Sequence, residues 1–350
     1  MKFIHIADVH LGAAPEAGLA FSKERPQEIW DAFSEVTKRC SREQVDLLLI
    51  AGDLFHRQPL MRELKEVSYL FSQMEHTQVV LIAGNHDYLR KDSRYRTFIW
   101  PSNVHMLSGE NVHHVVLPEL DTAVYGLSYQ TREMSMPLYD RVKASGYAHY
   151  EILLAHGGDD RHIPIHWENL RQSGFDYIAL GHIHKQQIFE GGKAAYAGSL
   201  EPTDVSDTGK HGFMEGEITE RGMTVRFVPV AKREYLHLTV QVDSSMTDYQ
   251  VCDCVRELIE TKGRENIYRF CLRGRRDVDV IFDTERMNPF GNVIEVADET
   301  RPAFDFAKLA EMNKDNLIGR YIEGFAGCEE GSVEYQALCE GVEALMRSIS

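Results

Sequence analysis

The sequence predicts an α/β fold with four layers, α-β-β-α, in which two stacked β-sheets are flanked by helices. Three continuous apolar runs rich in Ile, Leu and Val, at 3–7, 46–52 and 79–84, are typical of strands buried on both faces. Apolar residues at helical spacing lie between these runs, over 24–43 and 62–75. This alternation predicts a first sheet and the helices that cover it.

Shorter strand patterns continue to about residue 230, and short links join many of them. They favour a second sheet stacked on the first. The predicted strands are 112–117, 122–127, 151–155, 176–180, 194–197, 212–218 and 223–229.

The pattern changes near Pro229, and we predict three parts. Residues 1–231 form the main α/β domain, 232–300 a small α+β domain, and 301–350 a helical segment that could dock a partner. The predicted elements of the later parts are strands at 233–242, 266–274 and 292–297, helices at 247–262 and 279–287, and helical residues 305–349 with breaks at Gly319, Gly324 and Gly327.

The net charge of −16 argues against an autonomous nucleic-acid-binding protein, because phosphate backbones attract Lys and Arg. Local basic groups and a pair of bound metal ions would offset this charge. The basic residues that follow candidate site segments or cluster late in the chain are Arg57, Arg62, Lys91, Arg94, Arg96, Arg269, Arg273, Arg275 and Arg276.

The N-terminal residues read as a strand rather than a signal peptide, and no apolar run approaches the roughly 20 residues of a membrane span. The six cysteines are scattered, without CxxC pairs, as expected for reduced thiols. We therefore expect a cytoplasmic protein with no membrane association.

Five short segments at the ends of apolar runs carry seven residues of metal-ligand type. Two divalent ions held close together need a shared anionic ligand and further nitrogen and oxygen ligands. Ligands of α/β sheets gather beyond the carboxyl ends of strands, so the five segments can converge on one crevice. The seven candidates are Asp8, His10, Asp53, Asn85, His156, His182 and His184.

The residue types suit a two-metal centre. Asp53 is the natural bridging ligand, because a carboxylate can bind two cations. Asn85 offers a neutral carbonyl oxygen, and His182 and His184 could bind one ion each. A single His or Asp at a strand end is more often a cap or turn residue, but five such segments in this order indicate a site.

The segments DVH, GDLFH, GNHD, the His of LLAHGG, and GHIH resemble the signature of the calcineurin-like metallophosphoesterase superfamily. GDLFH together with GNHD resembles the SbcD-type DNA double-strand-break repair nucleases, including YhaO-like bacterial DNA repair exonucleases. The resemblance covers about residues 1–200, whereas 235–350 resembles the family's capping domain only loosely.

The resemblance implies two metal positions. One consists of Asp8, His10, Asp53 and His184, and the other of Asp53, Asn85, His156 and His182. Manganese is the metal it implies, although the mixed nitrogen and oxygen ligands would also accept iron or zinc.

The resemblance also implies roles for residues beside the ligands. His86 would protonate or stabilise the leaving sugar oxygen, and His56 would contact the phosphate or assist catalysis. Asp87 could orient His86 or cap a turn, and the turn at Gly198 and Ser199 could close over the site or simply join strands.

The implied function is a manganese-dependent DNA exonuclease or endonuclease. It would be a homodimer that acts as the nuclease subunit beside an SbcC-like coiled-coil ATPase. One alternative is a phosphomonoesterase or cyclic-nucleotide phosphodiesterase on the same metal core. Another is a non-catalytic scaffold for the ATPase, which the complete ligand set disfavours.

For the remaining histidines near candidate strands and loops, a structural or solvated role is the prediction. His5 is expected to be a buried, hydrogen-bonded strand residue, and His162 and His166 could line the cleft. Tyr88 is expected to pack rather than to stack on a base. The others are His113, His114 and His211.

Overall fold

A computed structural model describes residues 1–16, 19–329 and 331–348. Its contacts divide the chain into two units, Met1–Tyr235 and Leu236–Ser350. The predicted boundary after residue 231 falls close to this division, and the predicted α+β and helical parts both lie in the second unit. Their separation at residue 300 stays a prediction.

The first unit contains twelve strands and four α-helices among the described residues. They are β1 (Lys2–Ile6), α1 (Arg25–Glu43), β2 (Leu47–Ala51), α2 (Met61–Ser72), β3 (Gln78–Ile82), α3 (Arg94–Thr97), β4 (Val104–Met106), β5 (His113–Leu117), β6 (Thr122–Gly126), β7 (Tyr150–His156), α4 (Trp167–Leu170), β8 (Tyr177–Gly181), β9 (Gln187–Ile188), β10 (Ala194–Tyr196), β11 (Gly212–Thr219) and β12 (Gly222–Pro229).

The strands form two six-stranded sheets, ordered β12-β11-β1-β2-β3-β4 and β5-β6-β7-β8-β10-β9. Strands β1 to β4 are parallel, as are β6 to β8. The carboxyl ends of the parallel strands within each sheet therefore lie at one edge, where the candidate ligands follow them. The predicted α/β fold with two sheets is confirmed.

Three clusters of buried apolar residues hold the layers of the fold together. On one side of the first sheet, Ile6 and Ile50 pack with Phe33 of α1 and Phe71 of α2. Between the sheets, residues of β1 to β3 pack against residues of β6 to β8. The outer face of the second sheet is covered by loops and the single-turn helix α4, which contributes Leu170. The fourth layer is thus mostly irregular, in contrast to the helices of the first.

His5 is a buried polar group on the inner face of β1. Its side chain is fully buried, and its Nδ1 lies 2.9 Å from the hydroxyl oxygen of Tyr177, at the start of β8. The prediction of a buried, hydrogen-bonded strand histidine is confirmed. Burial lowers the pKa of His5 to about 3, because the interior disfavours the charged ring.

The second unit contains a four-stranded sheet and four helices among its described residues. Its elements are β13 (Tyr235–Val242), α5 (Asp248–Lys262), β14 (Ile267–Arg276), β15 (Val293–Asp298), β16 (Arg301–Pro302), α6 (Phe306–Met312), α7 (Leu317–Gly324) and α8 (Val333–Arg347). The sheet order is β13-β14-β15, and β16 also pairs with β14.

Two predictions for this unit are wrong. The helix predicted for 279–287 is only a 3-10 turn at Thr284–Met287. Gly319 does not break a helix but lies inside α7, where a β-carbon would collide with the carbonyl oxygen of Asn313. Because Gly319 has no side chain, the segment that joins α6 to α7 can lie close to α7. The break between the helices falls at residues 313–316 instead.

The late arginine cluster is largely balanced by acidic partners. Arg269 pairs with Glu295 at 2.8 Å, and Arg273 pairs with Glu299 at 2.9 Å. The guanidinium of Arg275 lies over the Tyr335 ring, 5.0 Å from its centroid. These contacts do not leave the cluster as a freely available basic patch.

The six cysteines are all free thiols. Within the described part of the chain, none of the helices combines the length and apolar character that crossing a membrane requires.

We expect the stability of the protein to fall as pH decreases from about 6.5 to 3 through the contribution of His5. In this pH range the unfolded chain binds a proton on His5 that the folded chain excludes. The free energy of unfolding therefore falls by up to about 1.4 kcal/mol for each pH unit of acidification. His5→Asn removes the titration and keeps a polar side chain. Urea denaturation at several pH values should give a shallower slope for the variant; parallel curves would contradict the assignment.

Candidate metal centre

The structure brings the seven predicted ligands together at the carboxyl ends of five strands. Asp8 and His10 follow β1, Asp53 follows β2 and Asn85 follows β3. His156 is the last residue of β7, and His182 and His184 come directly after β8. Both stacked sheets therefore contribute ligands to one cluster.

Four of these residues have left-handed backbone conformations, which are strained when a side chain is present. Their φ angles are +50° at Asp8, +53° at His10, +51° at Asp53 and +99° at His182. Such conformations cost about 1–3 kcal/mol each and persist only where the surroundings hold them. Here the amide of Asp8 donates to the carbonyl of Gly52 at 3.2 Å, and that of His10 to Asp53 at 3.0 Å.

The first predicted metal position is compact. Candidate ligand atoms of Asp8, His10 and His184 all lie within 4.8 Å of one another. The Nε2 atoms of His10 and His184 are 3.0 Å apart, and Nδ1 of His10 is buried without a hydrogen-bond partner. Asp53 groups with Asp8 and His156 at the same spacing, so it lies between ligands predicted for different ions.

The second predicted position contains nitrogen and oxygen atoms that converge on one point. His156 Nδ1 donates to the carbonyl of Ala51 at 2.8 Å, because a carbonyl can only accept, so Nε2, 2.9 Å from Asn85 Oδ1, is the nitrogen that can bind an ion once it loses its proton. His182 Nδ1 lies 3.1 Å from the same oxygen. Two imidazole nitrogens and an amide oxygen grouped in this way are a donor set that fits a metal ion.

The electrostatics of the cluster also favour positive charge. Burial alone would lower the pKa of His156, but Asp53 and Asp8 outweigh it and raise the pKa to about 9. For His184, the hydrogen bond to Asp207 and the nearby Asp8 carboxylate likewise outweigh burial and raise the pKa to about 9. A divalent ion can supply the positive charge that these carboxylates attract.

His56 and His86 lie beside the ligands, as predicted. Their ring centroids are 5.1 Å apart, and the ring of His10 lies 5.3 Å from His56 and 4.8 Å from His86. His86 Nδ1 donates to the carbonyl of His56 at 3.0 Å, which leaves its Nε2 available. Burial and the neighbouring His86 lower the pKa of His56. Candidate ligand atoms of these three histidines also lie within 4.8 Å of one another.

Asp87 caps the loop rather than orienting His86. Its fully buried carboxylate accepts hydrogen bonds from the amide of Gly84 at 2.8 Å and from the amide of Phe55 at 3.2 Å. It thereby ties the loop after β2 to the loop after β3. Of the two open interpretations, the contacts support the cap.

Two carboxylates that the sequence interpretation missed contact the ligand histidines. Asp159 Oδ2 lies 2.7 Å from His182 Nε2, and Asp207 Oδ2 lies 3.0 Å from His184 Nδ1. Although burial opposes the shift, hydrogen bonds from His162 and His182 lower the pKa of Asp159. Asp159 follows directly after the LLAHGG segment, so its position was a usable signal, whereas Asp207 lies 23 residues after His184 and offered none.

Other predicted side residues have structural contacts. His211 is buried, and its Nδ1 lies 2.8 Å from Ser199 Oγ. The amide of Ser199 donates to the carbonyl of His184 at 3.1 Å, so this turn supports a ligand from behind. His166 pairs with Asp140 at 2.8 Å. Tyr88, His113 and His114 are partly buried, and Tyr88 packs against the outer apolar cluster.

The basic side chains near the site segments are exposed, and two of them are held by partners. Arg57 pairs with Glu63 at 2.9 Å, and Arg96 donates to the carbonyl of Leu89 at 3.0 Å. The other exposed basic residues singled out in these segments are Arg62, Lys91 and Arg94.

These convergent residues are candidate ligands of a metal centre, and sequence comparison identifies the family to which the chain belongs. The family model of the calcineurin-like phosphoesterases matches residues 1–186, more than half of the chain, and the chain belongs to this family. Calcineurin-like phosphoesterases are metal-dependent hydrolases that use a dimetal centre.

Curated relatives include a metallophosphoesterase and DNA double-strand break repair proteins. The chain is 32% identical over 251 residues to the metallophosphoesterase YhaO of Bacillus subtilis, covering 65% of this chain and 60% of that protein. It is 30% identical over 214 residues to the DNA double-strand break repair protein Mre11 of Methanocaldococcus jannaschii, covering 57% of each. For Mre11 of Archaeoglobus fulgidus, identity is 27% over 321 residues, covering 80% of this chain and 70% of that protein. The matches thus span about three-fifths of the first two relatives.

Removal of the Asp87 side chain is expected to destabilise the protein by about 2–6 kcal/mol. Asp87→Ala leaves two buried amides without acceptors, and each costs about 1–3 kcal/mol. Chemical denaturation of the metal-free protein measures the change in the free energy of unfolding.

The matched control for this variant is Asp92→Ala, which removes a carboxylate that is 74% exposed and paired with Arg90. Its loss should change stability by less than about 1 kcal/mol. An Asp87→Ala protein as stable as the control would show that the cap is dispensable.

Proposed function

We propose that this protein is a two-metal DNA nuclease, an exonuclease or endonuclease, with Mn²⁺ as its metal. The observation that carries the proposal is the imidazole pair beside the ligand cluster, exposed His56 and partly exposed His86. Hydrolysis of a phosphodiester requires a proton for the leaving sugar oxygen. An imidazole next to the ions is suited to supply it near neutral pH.

The residues of the site have different roles in the proposed reaction. The seven ligands bind two ions, which when bound neutralise phosphate oxygens and activate a water molecule for attack. Because Nδ1 of His86 donates to the His56 carbonyl, the proton given to the leaving oxygen is a second one, carried on Nε2 of the imidazolium form. His56, exposed at the same side, contacts the phosphate.

Two observations support DNA as the substrate. Relatives at modest identity are DNA double-strand break repair proteins. Exposed Arg62, Lys91 and Arg94 lie in the segments that follow Asp53 and Asn85, where they can attract the phosphate backbone although the chain has a net charge of −16. The mixed nitrogen and oxygen ligands support manganese and also suit iron or zinc.

We extend the proposal to a homodimer that acts beside an SbcC-like coiled-coil ATPase in the cytoplasm. The resemblance of the motifs to SbcD-type nucleases supports the ATPase. The helices α6 to α8 support docking, because Met312, Leu317 and Val333 on or next to them are exposed apolar residues.

The direct test is digestion of 5′- and 3′-labelled single- and double-stranded oligonucleotides with Mn²⁺, Fe²⁺ or Zn²⁺ in turn. We expect metal-dependent cleavage of DNA that chelation with EDTA abolishes. Hydrolysis of p-nitrophenyl phosphate without any cleavage of DNA would favour the phosphomonoesterase alternative. Binding of two ions without hydrolysis of either substrate would favour the scaffold.

His86→Ala is expected to reduce the rate of DNA cleavage by about 10²–10⁴-fold, because it removes the proton donor. Metal content, measured by mass spectrometry after gel filtration, should stay at the wild-type level. The matched control is His149→Ala, an exposed histidine next to β7 at the strand end opposite His156, about 20 Å away. Loss of a bound ion in His86→Ala would instead make His86 a ligand.

A further inference from the structure

Each histidine of the GHIH segment points one ring nitrogen at the ligand cluster and the other at a carboxylate from a different loop. His182 directs Nδ1 to Asn85 Oδ1 at 3.1 Å and Nε2 to Asp159 at 2.7 Å. His184 does the reverse, with Nε2 3.0 Å from His10 Nε2 and Nδ1 3.0 Å from Asp207. Because an ionised carboxylate only accepts hydrogen bonds, the two rings must carry their protons on opposite nitrogens.

The two carboxylates each accept two backbone amides but differ in their exposure to solvent. The side chain of Asp207 is 10% exposed, and its Oδ2 also accepts from the amides of Thr203 at 2.9 Å and Asp204 at 3.1 Å. It is therefore fixed by its own loop before it contacts His184. Few conformations remain open to this carboxylate, so its hydrogen bond holds His184 in one orientation.

Asp159 is 49% exposed and is shared between two imidazoles. Oδ2 lies 2.7 Å from His182 Nε2 and 2.9 Å from Nδ1 of His162, whose side chain is 18% exposed. Its Oδ1 accepts from the amides of Arg161 at 2.8 Å and His162 at 3.0 Å. Water competes for an exposed carboxylate, so the orientation of His182 is held less firmly than that of His184.

We propose that Asp159 and Asp207 are positioning residues that impose opposite tautomers on His182 and His184. The exposed Asp159 carboxylate, shared with His162, then makes the metal position on the Asn85 side the weaker and more exchangeable one. The inference rests on the proposed two-metal centre. Its physical basis is that the partner of the second ring nitrogen fixes the orientation and basicity of a metal-binding imidazole.

The test is to titrate metal-free protein with Mn²⁺. Calorimetry measures the two binding affinities, and electron paramagnetic resonance detects the bound manganese. Asp159→Asn keeps the shape of the side chain but removes the charge, and should weaken only the weaker of the two binding events, by about 10–100-fold. The signal of spin-coupled manganese pairs should then appear at higher Mn²⁺ concentration, while the first, mononuclear signal is unchanged. Asp207→Asn should weaken the tighter event.

Two further variants separate positioning from general effects. Asp160→Asn removes the same charge from the adjacent exposed residue and should leave both affinities within twofold of wild type. His162→Gln removes the second imidazole that contacts Asp159, so it also tests the metal position on the Asn85 side. This test remains possible even if Asp207→Asn does not fold. His162→Gln should shift the weaker affinity in the same direction as Asp159→Asn, but by less.

The outcomes discriminate clearly. Unchanged affinities in Asp159→Asn would overturn the positioning role, and loss of the tighter event in that variant would overturn the assignment of the weaker position. If wild-type protein binds fewer than two Mn²⁺ ions, the two-metal centre itself fails. If wild type binds two ions and Asp159→Asn matches Asp160→Asn, only this inference fails.

Discussion

The contacts of Asp53 are the constraint on which the metal centre depends. Its carboxylate accepts the amide of His86 at 2.8 Å and lies 3.5 Å from Nε2 of His156, while its carbonyl accepts the amide of His10. One residue thus links loops that follow strands of both sheets. The neighbouring glycine is part of this constraint, since a β-carbon at Gly84 would collide with the Asp53 carboxylate. Any larger residue would push the loop after β3 away and separate Asn85 from the other ligands.

The fold and the convergence of the candidate ligands were predictable from sequence to the extent that local patterns determine them. Continuous apolar runs end where the strands end, and parallel pairing then brings distant ligands to one place. Contacts set by tertiary packing were not predictable: Asp207 reaches His184 through an irregular loop, and Gly319 is required by the approach of α6 to α7. The same limit applies to 279–287, where periodic apolar residues belong to an irregular segment whose Val280 and Phe282 pack into the core.

Charge explains why an acidic chain can suit an anionic substrate. The buried carboxylates of Asp8 and Asp53 repel a phosphate, yet they also attract cations, and the raised pKa values of His156 and His184 express that attraction. Two bound divalent ions would reverse the sign of the local charge, while the net charge of the rest of the chain stays negative. The proposal of a nuclease therefore depends on metal loading more than on the arginine clusters, because residues such as Arg269 and Arg273 are already paired.

The loop between β10 and β11 connects the metal centre to the end of the first unit. Near its start, Ser199 supports the backbone of His184, and further along Asp207 fixes its ring. Between them, Glu201 is buried, pairs with Arg25 at 3.0 Å and accepts the amide of Lys232 at 2.6 Å. Breaking a buried ion pair leaves an uncompensated charge and costs about 3–5 kcal/mol. The orientation of a ligand histidine is thereby tied to residues that immediately precede β13, a connection that the separate motifs do not reveal.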